Sequence, residues 1–171
     1  MATEIERKFL LKNESWRSLV TKQAVMRQGY LGNRIENSAE NETDVALRDP
    51  PKASVRVRVS DNKALLNIKS ATLGICRKEY EFPIPLDDAN EILSELCDAP
   101  LIEKTRFYVP FGRHLWEIDV FDGDNAGLVV AEIELAHTDE AFERPDWLGE
   151  EVSAEPRYYN VCLIKHPYKC W

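Results

Sequence analysis

Charged and apolar residues alternate with a period of two through seven segments of this chain. In the first segment Glu4, Glu6 and Lys8 occupy alternate positions, with Ile5 and Phe9 between them. Because successive side chains of a β-strand point to opposite faces, each segment predicts a strand with one charged and one apolar face. The charged positions of the other six segments are Arg56 and Arg58; Lys69; Arg77, Glu79 and Glu81; Lys104 and Arg106; Glu117 and Asp119; and Glu132 and Glu134.

Several of these faces carry charges of the same sign at neighbouring positions of the face, two residues apart in sequence, as in Glu4 with Glu6 and Arg56 with Arg58. An antiparallel sheet with one solvated face accounts for the charge of any single strand. Like charges two residues apart repel each other, however, and solubility alone gives little reason to concentrate them. Carboxylates bind Mg²⁺ or Mn²⁺, whereas Arg and Lys neutralise phosphate oxygens. The two sets together therefore predict a site for a metal ion and a polyphosphate.

Closure of the sheet would place all the charged faces in one lumen and turn the apolar faces outward. Helices with apolar stripes are predicted near Trp16, Ile92 and Val161, and each needs an apolar surface to pack against. The predicted fold is therefore α+β, with a closed antiparallel β-barrel that forms a tunnel, a charged lumen, and helices packed on the outside.

The strand pattern is interrupted once, over residues 33–53. This segment loses its periodicity, is rich in Glu, Asn and Asp, and contains Asp49–Pro50–Pro51. We predict a flexible, solvated acidic loop, and the sequence favours a connector over a lid. The length of 171 residues suits one well-buried core, so residues 1–171 are predicted to form a single domain.

The composition of the chain argues against several classes of protein. The formal net charge of −8 at pH 7 repels nucleic acid and anionic membranes at long range, so neither is expected as a partner. Apolar runs are too short to span a bilayer, and Glu4 and Glu6 interrupt the place of a signal peptide, which predicts a cytoplasmic protein. The four cysteines form no C-x-x-C pair, and no G-x-x-x-x-G-K-[ST] phosphate loop is present. The oligomeric state stays open, with a homodimer as one candidate.

The segment Glu4-Ile5-Glu6-Arg7-Lys8 resembles the E-x-E-x-K signature of the CYTH superfamily, also called triphosphate tunnel metalloenzymes. Alone the motif would be a weak signal, but further elements follow in the family's order over nearly the whole chain. They are Gln28-Gly29-Tyr30-Leu31, Val55-Arg56-Val57-Arg58, Ile68-Lys69, Arg77-Lys78-Glu79-Tyr80-Glu81, Glu103-Lys104-Thr105-Arg106, Trp116-Glu117-Ile118-Asp119-Val120-Phe121, Glu132-Ile133-Glu134, Gly149-Glu150-Glu151-Val152 and Arg157-Tyr158-Tyr159-Asn160. Within the superfamily, the chain is most similar to small bacterial inorganic triphosphatases.

The resemblance implies an eight-stranded antiparallel barrel that binds a triphosphate with Mg²⁺ or Mn²⁺, and it implies a role for each charged residue. Metal ligands are expected at Glu4, Glu6, Glu132 and Glu134. Phosphate-binding groups are expected at Arg56, Arg58, Lys69, Arg106 and Arg157, together with Lys8 and Lys104. Glu79, Glu81 and Asp119 are expected to orient those cations or a metal-bound water.

The activity that this resemblance implies is metal-dependent hydrolysis of the terminal phosphate of inorganic triphosphate. The attacking water could be activated by a second metal ion or by a lysine of lowered pKa, for which Lys8 and Lys104 are the candidates. Adenylyl cyclase and nucleoside or thiamine triphosphatase activities occur on the same fold and stay open. A non-catalytic polyphosphate-binding module is a further alternative, although binding alone would not need the complete acidic set. A glycosidase with paired carboxylates would leave the cations unexplained.

Overall fold

The computed structural model describes residues 3–32, 52–71 and 74–171. The described strands are β1 (Thr3–Leu11), β2 (Lys22–Leu31), β3 (Ala53–Ser60), β4 (Lys63–Ser70), β5 (Cys76–Ile84), β6 (Ile102–Phe111), β7 (His114–Phe121), β8 (Val129–Glu134) and β9 (Leu148–Glu151). The α-helices are α1 (Leu86–Glu95) and α2 (Asn160–Lys165), and short 3-10 helices span Ser15–Leu19, Gly123–Asn125, Pro156–Tyr158 and Tyr168–Cys170.

Eight of the strands close into an antiparallel barrel. Neighbouring strands follow the order β5-β4-β3-β2-β6-β7-β8-β1, and β5 pairs with β1 to complete the ring. The closing contact runs from Thr3 opposite Lys78 to Ile5 opposite Cys76. Strand β9 pairs with the later part of β1, at Phe9 and Leu11. The predicted closed eight-stranded barrel is thus confirmed.

The apolar faces of the strands turn outward and form the protein's main cores. Helix α1 packs over β3 and β4, where Val57 and Ala64 are buried against Ala89 and Leu93. On another side of the barrel, a larger core is built around Phe9, Trp16, Trp116, Ile133 and Trp147. Burial of these aromatic and aliphatic side chains is the dominant favourable contribution to folding.

The C-terminal helix packs differently from the expectation. Tyr158 and Leu163 are buried against Ile102, Phe121 and Val130. By the period-two rule these three strand residues share the luminal face of their strands with the charged positions. The C-terminal segment therefore covers luminal rather than outer positions, because the lumen becomes apolar where these residues lie.

Strand β2 begins at Lys22, well before the Gln28-Gly29-Tyr30-Leu31 element, since its first residues pair with β6 from Lys22 opposite Tyr108 onward. The helix predicted near Val161 is short and is preceded by a separate 3-10 turn, because Tyr159 has extended backbone angles between the two. Of the predicted acidic loop, residues 33–51 lie outside the described residues. None of the helices in the described part of the chain has the length and apolar character needed to cross a lipid bilayer.

Candidate functional site

The barrel encloses a cavity of about 720 Å³. The charged face of each of the seven strands with alternating charge contributes to its wall, as the alternating pattern predicted. The acidic lining residues are Glu4, Glu6, Glu79, Glu81, Glu117, Glu132 and Glu134, and the basic ones are Lys8, Arg56, Arg58, Lys69, Arg77, Arg106, Arg113 and Lys165. Charges of both signs therefore converge on one enclosed volume.

Three carboxylates form an acidic region of the wall. Strand pairing places Glu6 directly opposite Glu134, and Glu4 lies two residues away on the same face. Desolvation raises the pKa of Glu134, and the negative charges of Glu4 and Glu6 raise it further. No ion pair within 4.0 Å connects Glu134 to a cation among the residues that the structure describes. The acidic region is thus incompletely neutralised at Glu134.

Its other members do have cationic partners. Lys69 Nζ lies 2.9 Å from Glu4 Oε2 and 3.1 Å from Glu79 Oε2. Arg77 Nη2 lies 3.5 Å from both Glu4 Oε2 and Glu6 Oε1. Within the described ranges, no three Asp, Glu, His or Cys side chains converge closely enough to hold a metal ion.

A basic region lies on β3. Arg56 is 6% exposed, its Nε–H has no hydrogen-bond partner among the described residues, and its Nη2 is 3.6 Å from Glu79 Oε1. Arg58 Nη2 donates to Glu81 Oε1 at 3.0 Å. Burial lowers the pKa of Arg58, and repulsion by Arg56 and Arg106 lowers it further. Crowded, buried guanidinium groups of this kind suit an anionic ligand with several oxygens.

A buried ion-pair network lies between strands β1, β6, β7 and β8. Arg106 donates from Nε and Nη2 to both oxygens of Asp119 at 2.7 Å, and from Nη2 to Glu132 Oε2 at 2.7 Å. Arg106 Nη1 also contacts Glu117, Lys8 contacts Glu132, and Lys104 contacts Asp119. Glu132 is therefore engaged by two cations, unlike its neighbour Glu134.

The two candidate lysines differ in charge and position. Although burial opposes it, attraction by Glu132 and Glu6 raises the pKa of Lys8, so the expected lowering is not found there. Burial lowers the pKa of Lys104 to about 8 in spite of the attraction of Asp119. Lys8 lines the cavity, whereas neither Lys104 nor Asp119 belongs to its lining.

Arg157, like Lys104, is a predicted phosphate-binding residue that does not line the cavity. Its side chain is 56% exposed, with Nε 3.8 Å from Glu155 Oε2. Its guanidinium carbon lies 5.0 Å from the ring centre of Tyr158 and 4.9 Å from that of Trp171. In this position the Arg157 guanidinium makes cation–π contacts with the two C-terminal aromatic rings.

Other lining residues had no predicted role. Arg77 and Glu117 belong to the alternating pattern of charges. That pattern could have identified them as residues of the site. Tyr159, Asn160 and Lys165 reach the cavity from the C-terminal segment. Tyr159 donates its hydroxyl to the Ser153 carbonyl at 2.7 Å, and its ring lies 5.8 Å from the Arg77 guanidinium carbon. No strand periodicity marks these residues, so the sequence pattern did not identify them.

The acidic region fits a divalent cation in chemistry. Carboxylate oxygens are the donors that Mg²⁺ and Mn²⁺ prefer. Burial, together with the negative charges of Glu4 and Glu6, raises the pKa of Glu134. A cation bound there would reduce the repulsion among these carboxylates, just as an anion would reduce the repulsion among Arg56, Arg58 and Arg106. The wall therefore offers complementary positions for a metal ion and for phosphate oxygens.

Comparison with known proteins gives consistent results. Residues 2–162 match the CYTH domain. The chain is 44% identical over 169 residues to an inorganic triphosphatase of Acetivibrio thermocellus, which covers 99% of this chain and 97% of that relative. It is 33% identical over 165 residues to an inorganic triphosphatase of Nitrosomonas europaea, with 94% and 96% covered. The crystal structure of an inorganic triphosphatase aligns with a TM-score of 0.60 at 30% identity, covering 96% and 95% of the two chains. The chain therefore belongs to the CYTH domain family.

Proposed function

We propose that this chain is an inorganic triphosphatase that hydrolyses the terminal phosphoanhydride bond of tripolyphosphate inside the barrel. One observation carries the proposal: an under-neutralised carboxylate region and a crowded guanidinium region face the same cavity. Phosphoryl transfer depends mainly on positioning and charge stabilisation, and these two regions are suited to both. The names of the two full-length relatives agree with this activity.

Glu4, Glu6 and Glu134 are the residues that would hold Mg²⁺ or Mn²⁺. Bound there, the metal would neutralise phosphate charge and lower the pKa of a coordinated water. Glu132, which was also expected to be a metal ligand, contacts Lys8 and Arg106 and is better suited to fix those cations. Its ion pairs would have to break before it could bind a metal.

The phosphate chain is held by cations of the lumen. Arg56 lines the cavity, and its nearest carboxylate partner, Glu79, lies 3.6 Å from Nη2, so its outer N–H groups are well placed to donate to phosphate oxygens. Arg58 lies beside it, and Lys69 lies between the acidic and basic regions. Glu79 and Glu81 contact these cations and orient them. Arg157 was also expected to bind phosphate, and it does not line the cavity in this structure.

Neither lysine suits the role of general base toward the attacking water. Lys8 reaches the cavity, but its raised pKa keeps it protonated. A protonated amine cannot accept a proton, so Lys8 acts as a fixed cation beside Glu132. Lys104 has the lower pKa but lies behind the wall, against Asp119. Of the two routes to an activated water, activation by the metal is therefore the one that we propose.

A phosphate-release assay tests the proposal. The purified protein is incubated with tripolyphosphate, pyrophosphate, ATP or thiamine triphosphate, each with Mg²⁺, with Mn²⁺ or with chelator. We expect release of orthophosphate from tripolyphosphate only with metal, and loss of this activity in the Glu6→Ala variant. Equal turnover with chelator, or preferential cleavage of ATP or thiamine triphosphate, would contradict it. Formation of cyclic AMP from ATP would instead identify an adenylyl cyclase.

A further inference from the structure

Asn67 is an uncharged polar residue on the luminal face of β4. It shares this face with Lys69, and strand pairing places it between Arg56 of β3 and Glu81 of β5. The residue is fully buried, and it does not line the cavity. Its amide therefore lies within the wall among charged side chains, where a polar group is expected to bond to its neighbours.

The amide nitrogen of Asn67 donates to two carboxylates at once. Nδ2 donates to Glu79 Oε1 at 2.8 Å and also to Glu81 Oε1. An amide nitrogen carries two N–H donors and an ionised carboxylate only accepts, so the nitrogen of this amide must be the atom that faces the two acids. Asn67 thus bridges two negative charges that lie two residues apart on β5 and repel each other.

The two oxygens that Asn67 bonds are the same oxygens that face the basic region. Glu79 Oε1 lies 3.6 Å from Arg56 Nη2, and Glu81 Oε1 accepts from Arg58 Nη2 at 3.0 Å. An oxygen held by the amide cannot move closer to its arginine without lengthening or bending the hydrogen bond to Nδ2, which weakens that bond. The amide therefore limits how far each carboxylate can move onto its arginine.

We propose that Asn67 is a positioning residue that holds the carboxylates of Glu79 and Glu81 away from the two arginines of β3, so that these arginines keep outer N–H groups free for an anionic ligand. This inference rests on the proposed function only for the identity of the ligand. Without the amide, each carboxylate is released to form a closer ion pair with its arginine. A polyanion must then break these ion pairs before it can bind, and its affinity falls.

A binding cycle tests this proposal without requiring turnover. The Kd of tripolyphosphate is measured by calorimetry, without divalent metal, for the wild type, Asn67→Leu, the variant with both Glu79→Gln and Glu81→Gln, and the variant that combines all three changes. We expect Asn67→Leu to weaken binding by about tenfold in the wild-type background and by less than about threefold when both acids are amides, because contacting residues in one network are not additive. Unchanged binding in the wild-type background, or equal weakening in both backgrounds, would overturn the proposal.

Kinetics supply a second readout. A role in keeping the arginines free predicts that Asn67→Leu chiefly raises KM for tripolyphosphate, whereas a lower kcat with KM unchanged would contradict it. Asn90→Leu on α1, where the amide accepts from Arg27 on the outside of the barrel, is the matched control and should change neither constant. If Asn67→Leu does not fold, Asn67→Ala, which also lacks a donor, is used in the same cycle, with melting curves to verify folding. Failure of the wild type to hydrolyse tripolyphosphate would contradict the proposed function, while the binding cycle would still test Asn67.

Discussion

Arg56 is buried beside Arg58, with an Nε–H that has no partner among the described residues. An unpaired buried donor is costly, and a charged one more so. Arg56 also lines the cavity, and its nearest carboxylate oxygen lies 3.6 Å from Nη2. At the scale of single residues, we therefore expect the outer nitrogens of Arg56, rather than its enclosed Nε–H, to donate to phosphate oxygens.

The Arg56→Ala variant should therefore lose substrate affinity with little loss of structure. We expect KM for tripolyphosphate to rise by about tenfold to a hundredfold, from the loss of charge-assisted hydrogen bonds worth about 1.5–3 kcal/mol. The melting temperature should hold or rise, because repulsion with Arg58 is removed. Arg27→Ala on the outer surface of β2 is the control and should leave KM unchanged. Similar KM values for the two variants would refute the role of Arg56.

Glu134 allows a test by pH in the absence of metal. Desolvation and the charges of Glu4 and Glu6 raise its pKa in the folded protein above that of the unfolded chain. The unfolded chain therefore binds fewer protons between the two pKa values, and ionised Glu134 reduces stability as pH rises through this window. Below the window the carboxyl is protonated in both states and the penalty disappears.

Metal-free Glu134→Gln should accordingly melt at a higher temperature than the wild type at neutral pH. The difference should shrink as pH falls through the raised pKa, since the wild-type residue is then also neutral. Thermal melts over a pH series measure this difference, with Glu150→Gln at an exposed position of β9 as the control. If the two melting temperatures differed by the same amount at every pH, the neighbouring acids would not be raising the pKa of Glu134.

Strands are the elements in which sequence and structure agree best. Period-two alternation identified the luminal face of every barrel strand that bears charge, because side-chain direction in a strand depends only on parity. The alternation does not predict how far along the barrel axis a luminal side chain lies. Lys104 and Arg106 share one face of β6, yet Arg106 lines the cavity and Lys104 does not. Tyr159 and Lys165 were missed and Arg157 misplaced because the course of the C-terminal segment is decided by tertiary packing.

The outer face of β3 supplies a prediction at the scale of elements. Val57 is fully buried beneath α1, whereas Val25 on β2 is 60% exposed. Val57→Asp should lower the free energy of unfolding by about 3–5 kcal/mol, the cost of an uncompensated buried charge. Val25→Asp should have almost no effect. Denaturant unfolding measures both, and equal losses would contradict the placement of α1 over this strand.

At the scale of the whole molecule, the binding cations are enclosed in the barrel while the chain carries a formal net charge of −8. A distant polyanion therefore meets a repulsive field, and attraction begins only close to the opening. Added salt screens charges separated by more than about 10 Å at 0.1 M, but affects enclosed pairs much less. Moderate salt should consequently accelerate the capture of free tripolyphosphate, the reverse of ordinary electrostatic steering.

Stopped-flow association rates for metal-free tripolyphosphate, measured from low salt to about 0.1 M, decide this point. A rate that falls with salt would show that the luminal cations project their attraction beyond the barrel. If it rises instead, the outer acids act as a filter. Free polyanions are then repelled before they reach the barrel. Ligands whose charge is already partly neutralised are repelled less and associate faster.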